Sequence, residues 1–291
     1  MSARRLFVFG LGYSGARMAR TCLADGWGVG GTCRNDAAAA TLRRLGIETF
    51  LFDRGHALAD PGAALAGTTH LLSSVPPDGE GDAVLDCHGG DIAALKGIEW
   101  VGYLSTTGVY GDRDGGEVDE SSALSPTSAR ARQRVQAEAG WLALGKVHDL
   151  PVHIFRLAGI YGPGRSAIDA VRSGTARRIA KPGHVFSRIH VDDIVATLRA
   201  SAARPNSGAV YNVCDDHPAP SEAVIACACE LLGIEPPPLI PIEKAELSPM
   251  AASFYRDNKR VSNARIKREL GVRLRFPDYR AGLAGILKSQ A

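Results

Sequence analysis

Between Asp112 and Gly145 the chain holds no tyrosine and no lysine, and it is sparing elsewhere in ways that narrow what it can be. Its six cysteines, at 22, 33, 87, 214, 227 and 229, include no C-x-x-C pair, which argues against a zinc site or a disulfide framework and leaves the metal assignment at none. No segment approaches the roughly 18 consecutive apolar residues of a membrane span. The opening "MSARRLFVFGLG" sets basic residues before an apolar run, but glycines break that run after a few residues, so no secretory leader is expected and a cytoplasmic setting is. No block of five or six like charges occurs and the net charge is only +3, so nucleic acid and membrane are not expected partners; a small molecule, anionic or polar, is.

What is present is a 291-residue chain, 45% hydrophobic, long enough for a large core. Short apolar runs ("RLFVFG", "WGVGGT", "IETFLF", "THLLSSV", "WVGYLST", "PVHIFRL") alternate with segments able to hold helices, which implies βαβ units. The expected fold is α/β, a doubly wound parallel sheet with a smaller C-terminal substrate lobe. Residues 1–160 are expected to form the dinucleotide-binding domain, with 188–215 returning to it through "AVYNV". Residues 161–291, punctuated by "YGPGR", "KPGH" and "EPPPLIPI", then make the smaller lobe as a set of excursions.

Directly after the first run comes Gly10-Leu11-Gly12-Tyr13-Ser14-Gly15 and then a helix opening. The first glycine permits a tight turn, the second lets main chain approach a pyrophosphate, and the third permits close helix packing. Gly10, Gly12, Tyr13, Ser14 and Gly15 are therefore cofactor-binding candidates, with the phosphate on the helix N-terminus. An NAD site carries an acidic residue about 20 residues on. The second run here ends Thr32, Cys33, Arg34, Asn35 with no carboxylate before Asp36, and Arg34 suits a 2′-phosphate, so NADP is expected ahead of NAD. Asp53, after the third run, is placed at the adenine edge, and Ser74, in the fourth, is assigned to the same site.

"LSTTGVYG" at 104–111, "RLAGIYGPGR" at 156–165, "IHVDDI" at 189–194, "VYNVCDD" at 210–216 and "KRVSNARIKRELG" at 259–271 carry a further resemblance. In order and spacing the sequence resembles the extended short-chain dehydrogenase/reductase superfamily, with its nucleotide-sugar epimerases and dehydratases, over nearly the whole chain. The resemblance implies a Rossmann fold, a substrate-orienting hydroxyl at Thr106, and a catalytic tyrosine with a lysine four residues later. With Glu138 as the glutamate that follows the lysine, the tyrosine position holds Arg130 and the lysine position Arg134. Arginine stays protonated, so Arg130 cannot replace the tyrosine, although Arg134 retains the means to bond a ribose hydroxyl.

Three readings follow. Hydride chemistry persists with a displaced acid, from Tyr110, Tyr161 or the substrate itself; or the paired arginines bind an anionic group; or the protein binds NADP without turnover, as a sensor or interaction partner. Tyr110 within "VYG" also has a packing role in the family, and Arg134 and Glu138 are spaced for an i,i+4 pair worth about 0.3 kcal/mol. In the basic smaller lobe the position four before His190, where nucleotide-sugar members commonly hold the diphosphate with an arginine, is Phe186; Arg188 stands two before it. His190 reads as structural, and Cys87, His88 and Cys214 as core or surface residues. A homodimer is implied by resemblance alone. The leading expectation is an NADP-dependent oxidoreductase or epimerase-like protein with a non-standard acid/base.

Overall fold

The computed structural model describes residues 4–290. The first stretch alternates strand and helix: β1 (Arg5–Phe9), α1 (Tyr13–Ala24), β2 (Gly28–Cys33), α2 (Asp36–Arg44), β3 (Glu48–Leu51), α3 (Pro61–Leu65), β4 (His70–Ser73), α4 (Ala83–Ala93) and β5 (Trp100–Thr106). Then come β6 (Glu117–Val118), α5 (Ala129–His148), β7 (Val152–Leu157), β8 (Gly159–Tyr161), α6 (Ala167–Arg172), β9 (Arg178–Ala180) and β10 (Arg188–His190). The chain ends with α7 (Val191–Ala203), β11 (Val210–Val213), α8 (Ser221–Leu232), β12 (Leu239–Pro241), α9 (Pro249–Phe254), β13 (Arg260–Val261), α10 (Ala264–Leu270) and α11 (Tyr279–Gln290).

Seven strands form one sheet in the order β11-β7-β5-β4-β1-β2-β3, and β3, β2, β1, β4 and β5 pair in parallel. The six apolar runs of the sequence, together with "AVYNV", are these seven strands. Phe7, Phe9, Leu71, Val101, Tyr103 and Ile154 are fully buried, as expected of parallel strands covered on both faces. The strand order reverses between β1 and β4, the crevice where doubly wound sheets take ligands.

Contacts divide the chain into two compact units, one comprising the chain up to Thr106 with Ala129–Arg156 and Val195–Tyr211, the other comprising Thr107–Ser128, Leu157–Ile194 and the chain from Asn212 onward. In the second unit, the early excursion at 107–128 joins the late chain because β6 pairs with β13. Parallel pairs β8–β10 and β9–β12 complete its strands. Its core gathers Tyr161, Ile168, Val224, Tyr279, Leu283 and Ile286. Among the described residues no helix is long and apolar enough to cross a membrane.

Local chemistry explains where the helices of the first unit begin and end. Asn35 caps α2 by accepting from Ala38 N at 2.9 Å, and α1 stops at Asp25 before Gly26, whose φ of +80° favours glycine. Asp82 caps α4 by accepting from Val84 N and Leu85 N, and its second oxygen accepts from Trp141 Nε1 at 3.1 Å, joining α4 to α5. Helix α5 is fixed from below by Glu138. This residue, 3% exposed, pairs with Arg156 Nη2 at 2.8 Å and accepts the Ser105 hydroxyl at 2.5 Å. Arg134 does not take up the i,i+4 pairing that its spacing allows, because Glu138 faces β5 and β7 and finds its partners there.

Glu138→Ala leaves Arg156 buried without its partner, and chemical denaturation should show a loss of about 3–5 kcal/mol. A loss under about 1 kcal/mol would mean that the pair does not hold α5 in place.

Candidate active site

At the end of β1 the chain turns at Gly10, with φ +87°. The turn is pinned from three directions: Gly10 N donates to Thr32 Oγ1 at 2.9 Å, Leu11 N donates to Thr32 O at 2.7 Å, and the Ser74 hydroxyl donates to Gly10 O at 2.5 Å. A Cβ on Gly15 would stand 2.5 Å from Gly10 O, so the helix packs against the turn only with glycine there. Gly12, by contrast, has nothing within 4 Å of where a Cβ would be. That open side, at the N-terminus of α1, is the space a phosphate needs. Tyr13 and Ser14 form the first turn of α1, with Ser14 buried. Ser74 thus serves the site by fastening the loop, and Thr32 does so equally; sequence reasoning passed over Thr32 because nothing in "GGTC" marks a hydroxyl that points back at the turn.

A cavity of about 530 Å³ lies against this turn, bordered by Gly10, Gly12, Arg34, Asn35, Asp53 and Ser74. Arg34 is exposed after β2 and has neither hydrogen bond nor ion pair among the described residues. It also borders a second cavity of about 490 Å³, shared with Asp53, His56 and Leu58. Asp53 accepts from His56 Nδ1 at 2.9 Å and from Gly55 N at 2.8 Å, and the His56 bond chiefly holds its carboxyl below the usual range. Next to it, Arg54 donates to Asp78 at 2.7 Å and Asp86 at 2.8 Å, so the neighbouring guanidinium is neutralised while that of Arg34 is not.

The residues expected to carry catalysis have different surroundings. Thr106 ends β5, half-buried. Tyr110 is fully buried, and its hydroxyl donates to Asn212 Oδ1 at 2.7 Å. This corrects its candidacy as a displaced acid: a phenol with no exposed surface that is engaged with a buried amide serves packing. Arg130 is exposed and without a partner among the described residues. Arg134, half-buried one turn further on, donates to Leu104 O at 2.6 Å and to the Tyr103 hydroxyl at 3.0 Å, with its guanidinium 5.6 Å from that ring. The two arginines therefore do not act as one cluster, since Arg134 is tied to β5 and Arg130 is open.

In the second unit a cavity of about 620 Å³ is lined by Tyr161, Arg165, Ser166, Arg188, Tyr279 and Leu283, among others. Several basic residues of this unit donate to main-chain carbonyls instead: Arg177 to Glu246, Arg178 to Pro237, Lys181 to Tyr255, Lys259 to Gly111 and Arg260 to Gly115. Among the described residues, Arg165 and Arg188 are the basic ones that border the cavity. Burial pushes the Tyr161 phenol far up, so it holds its proton near neutral pH. His190 is buried against Phe276 and accepts from Asp192 N at 3.2 Å, a structural arrangement, and the Cys214 thiol is buried on Val261 O. Asp215, 2% exposed, is a feature the sequence did not reveal, because "CDD" does not say which acid turns inward; burial raises its carboxyl to about 7.

A parallel sheet in this strand order, with a glycine turn open to a phosphate at its switch point, defines a Rossmann-type protein. Residues 90–214 match the NAD dependent epimerase/dehydratase family. The structure of a functionally unknown conserved protein from Silicibacter pomeroyi DSS is similar to this one, with 51% identity, 99% of each chain covered and a TM-score of 0.91. Protein YeeZ of Escherichia coli K12 is 29% identical over 289 residues, covering 94% of this chain and 97% of its own. UDP-glucuronic acid 4-epimerase from Bacillus cereus, solved in complex with NAD, shares the fold at 15% identity and a TM-score of 0.79, with 98% and 96% of the chains covered. The family match thus covers the middle of the chain, and the likeness to the solved epimerase is one of fold.

A carboxyl whose folded pKa is raised from 3.8 to about 7 binds more protons folded than unfolded between those values, so it removes stability as pH rises through that window. Asp215→Asn should therefore melt at about the wild-type temperature near pH 4 and above it near pH 8. A constant difference between variant and wild type across that range would show that Asp215 ionises normally.

Proposed function

We propose that the first unit binds a nicotinamide dinucleotide, NADP in preference to NAD, and that the protein is an oxidoreductase or epimerase-like enzyme acting on a small polar or anionic substrate. The observation that carries the cofactor reading is the unpartnered Arg34 guanidinium on the rim of the cavity under the glycine turn. The 2′-phosphate that distinguishes NADP is the group such an arginine holds with charge-assisted hydrogen bonds. The residues present fit the rest of the dinucleotide: the open side of Gly12 and the first turn of α1 at Tyr13 and Ser14 receive the pyrophosphate, and Asp53 stands at the adenosine end. When bound, the nicotinamide supplies reversible hydride transfer.

The chain's own residues then have limited parts. Thr106 offers a hydroxyl to orient a substrate carbonyl or alcohol. Arg134, held by Leu104 O and Tyr103, keeps a fixed positive charge at the end of β5. Arg130 presents a second charge to an anionic group. Neither arginine moves a proton near neutral pH, so the acid is a substrate group or a water, or the step needs none. A second reading, a dinucleotide sensor without turnover, is favoured by the absence of tyrosine and lysine from 112–145 and by the commitment of Arg134 to the sheet.

Fluorescence titration with NADPH and NADH tests the cofactor reading. Arg34→Ala should weaken NADPH binding by about tenfold or more and leave NADH nearly unchanged; equal affinity of wild type for the two nucleotides would overturn the NADP preference. For turnover, a panel of aldehydes, ketones, hydroxy acids and sugar nucleotides should reveal a change in nicotinamide absorbance that Thr106→Ala slows by about tenfold or more. Silence across the panel with cofactor bound would favour the sensor.

A further inference from the structure

Arg188, on β10, carries its guanidinium in an unusual state of satisfaction. Nη1 donates to Phe186 O at 2.9 Å and Ala219 O at 2.7 Å, which fixes the side chain, while Nε and Nη2 have no partner among the described residues. The side chain borders the 620 Å³ cavity, whose opposite character comes from Val224, Leu283 and Tyr279 and whose hydroxyls include Ser166, Ser173 and Thr175. The acid on the wall among the described residues, Asp169, accepts the Ser166 hydroxyl at 2.5 Å. A fixed cation with two free donor atoms beside an apolar wall suits a small organic molecule with an oxyanion at one end.

Asp215 lies behind this arginine. Its main-chain N donates to Arg188 O at 2.6 Å, yet its carboxylate forms no ion pair with the Arg188 guanidinium; Oδ1 accepts only from His217 N at 3.3 Å and buried Oδ2 has no partner. Even so, Arg188 is the principal positive charge acting on it. The other charged and titratable groups around it are Tyr161 from β8, Asp278 from the turn into α11, and Cys214, Asp216 and His217 from its own segment. Asp216 is held by Lys267 at 2.5 Å and by Asn263 at 2.6 Å. Tyr161 and Cys214 are both pushed upward by burial, away from neutrality.

We infer that this cavity captures the oxyanion of a small substrate, carboxylate or phosphate, on the free edge of Arg188, and that Asp215 sets the affinity. Neutral Asp215 leaves the arginine's charge to the ligand; ionised Asp215 takes that charge and repels the anion through a buried, weakly screened path. By reciprocity, anion binding draws a proton onto Asp215. Because its carboxyl stands at about 7, the exchange falls at physiological pH. The inference rests on the reading of the protein as an enzyme for a small anionic substrate, and makes Asp215 its affinity-determining residue.

Sulfate is the probe, since its charge does not change over the range used. Calorimetric titration at constant ionic strength should show wild type binding sulfate about tenfold more weakly near pH 8.5 than near pH 6. Asp215→Asn should bind equally at both, with the affinity wild type shows at the lower pH, and it leaves His217 in place as a control. Arg188→Gln should not bind at all; if that variant fails to fold, the Asp215→Asn comparison decides alone. No sulfate binding by folded wild type near pH 6, or a pH dependence that survives in Asp215→Asn, would overturn the inference. The experiment needs neither cofactor nor turnover, so an NADPH titration of the same preparation tells loss of this site from failure of the dinucleotide reading.

Discussion

The buried Glu138–Arg156 pair is the constraint on which the candidate catalytic segment depends. It ties the middle of α5 to β7, and the Ser105 hydroxyl adds β5 to the same carboxylate. A buried pair of this kind is often no more stabilising than an apolar core of equal volume, but its geometry is specific. With Glu138 directed at the sheet, helical periodicity carries Arg134, one turn earlier, onto the end of β5. Arg130, eight residues back, is turned by about 80° and reaches solvent. The phase of one buried acid thus decides which arginine is structural and which is available.

The glycine turn shows the same division between holding and binding. Thr32 and Ser74 spend their hydrogen bonds on Gly10 and Leu11, which holds the turn with its Gly12 side open. Two neighbouring arginines, 34 and 54, diverge for electrostatic reasons: Arg54 is drawn to Asp78 and Asp86, and Arg34 forms no ion pair among the described residues. In the second unit the cations are sorted likewise. Most of them clip loops together through carbonyl oxygens, and Arg188 is left with donors to spare at a cavity.

Much of this was legible in the chain itself. The six apolar runs and "AVYNV" became the seven strands, and the glycine spacing located the turn, because period, turn chemistry and the need to bury apolar strand faces act over short stretches. The absence of tyrosine and lysine from 112–145 required no structure. Tyr110 shows where such reading stops: its place in "VYG" drew attention to it, but whether its hydroxyl would meet a substrate or Asn212, about 100 residues later, is settled only when both are packed. The i,i+4 pairing of Arg134 with Glu138 failed for a like reason, since a buried carboxylate is governed by partners that desolvation forces upon it rather than by its helical neighbour.

By itself, then, the sequence determined the α/β alternation, the phosphate-type turn, the lack of tyrosine and lysine from 112–145 and the lack of an acid at the end of β2. These are properties of composition and of residues close along the chain. Only the tertiary structure decided that Ser74 fastens a loop, that Arg188 keeps free donors at a cavity, and that Asp215, one of two adjacent acids, is enclosed while Asp216 meets Lys267. Burial and long-range pairing set the charge state and availability of a polar group, and neither quantity exists until distant segments exclude water from one another.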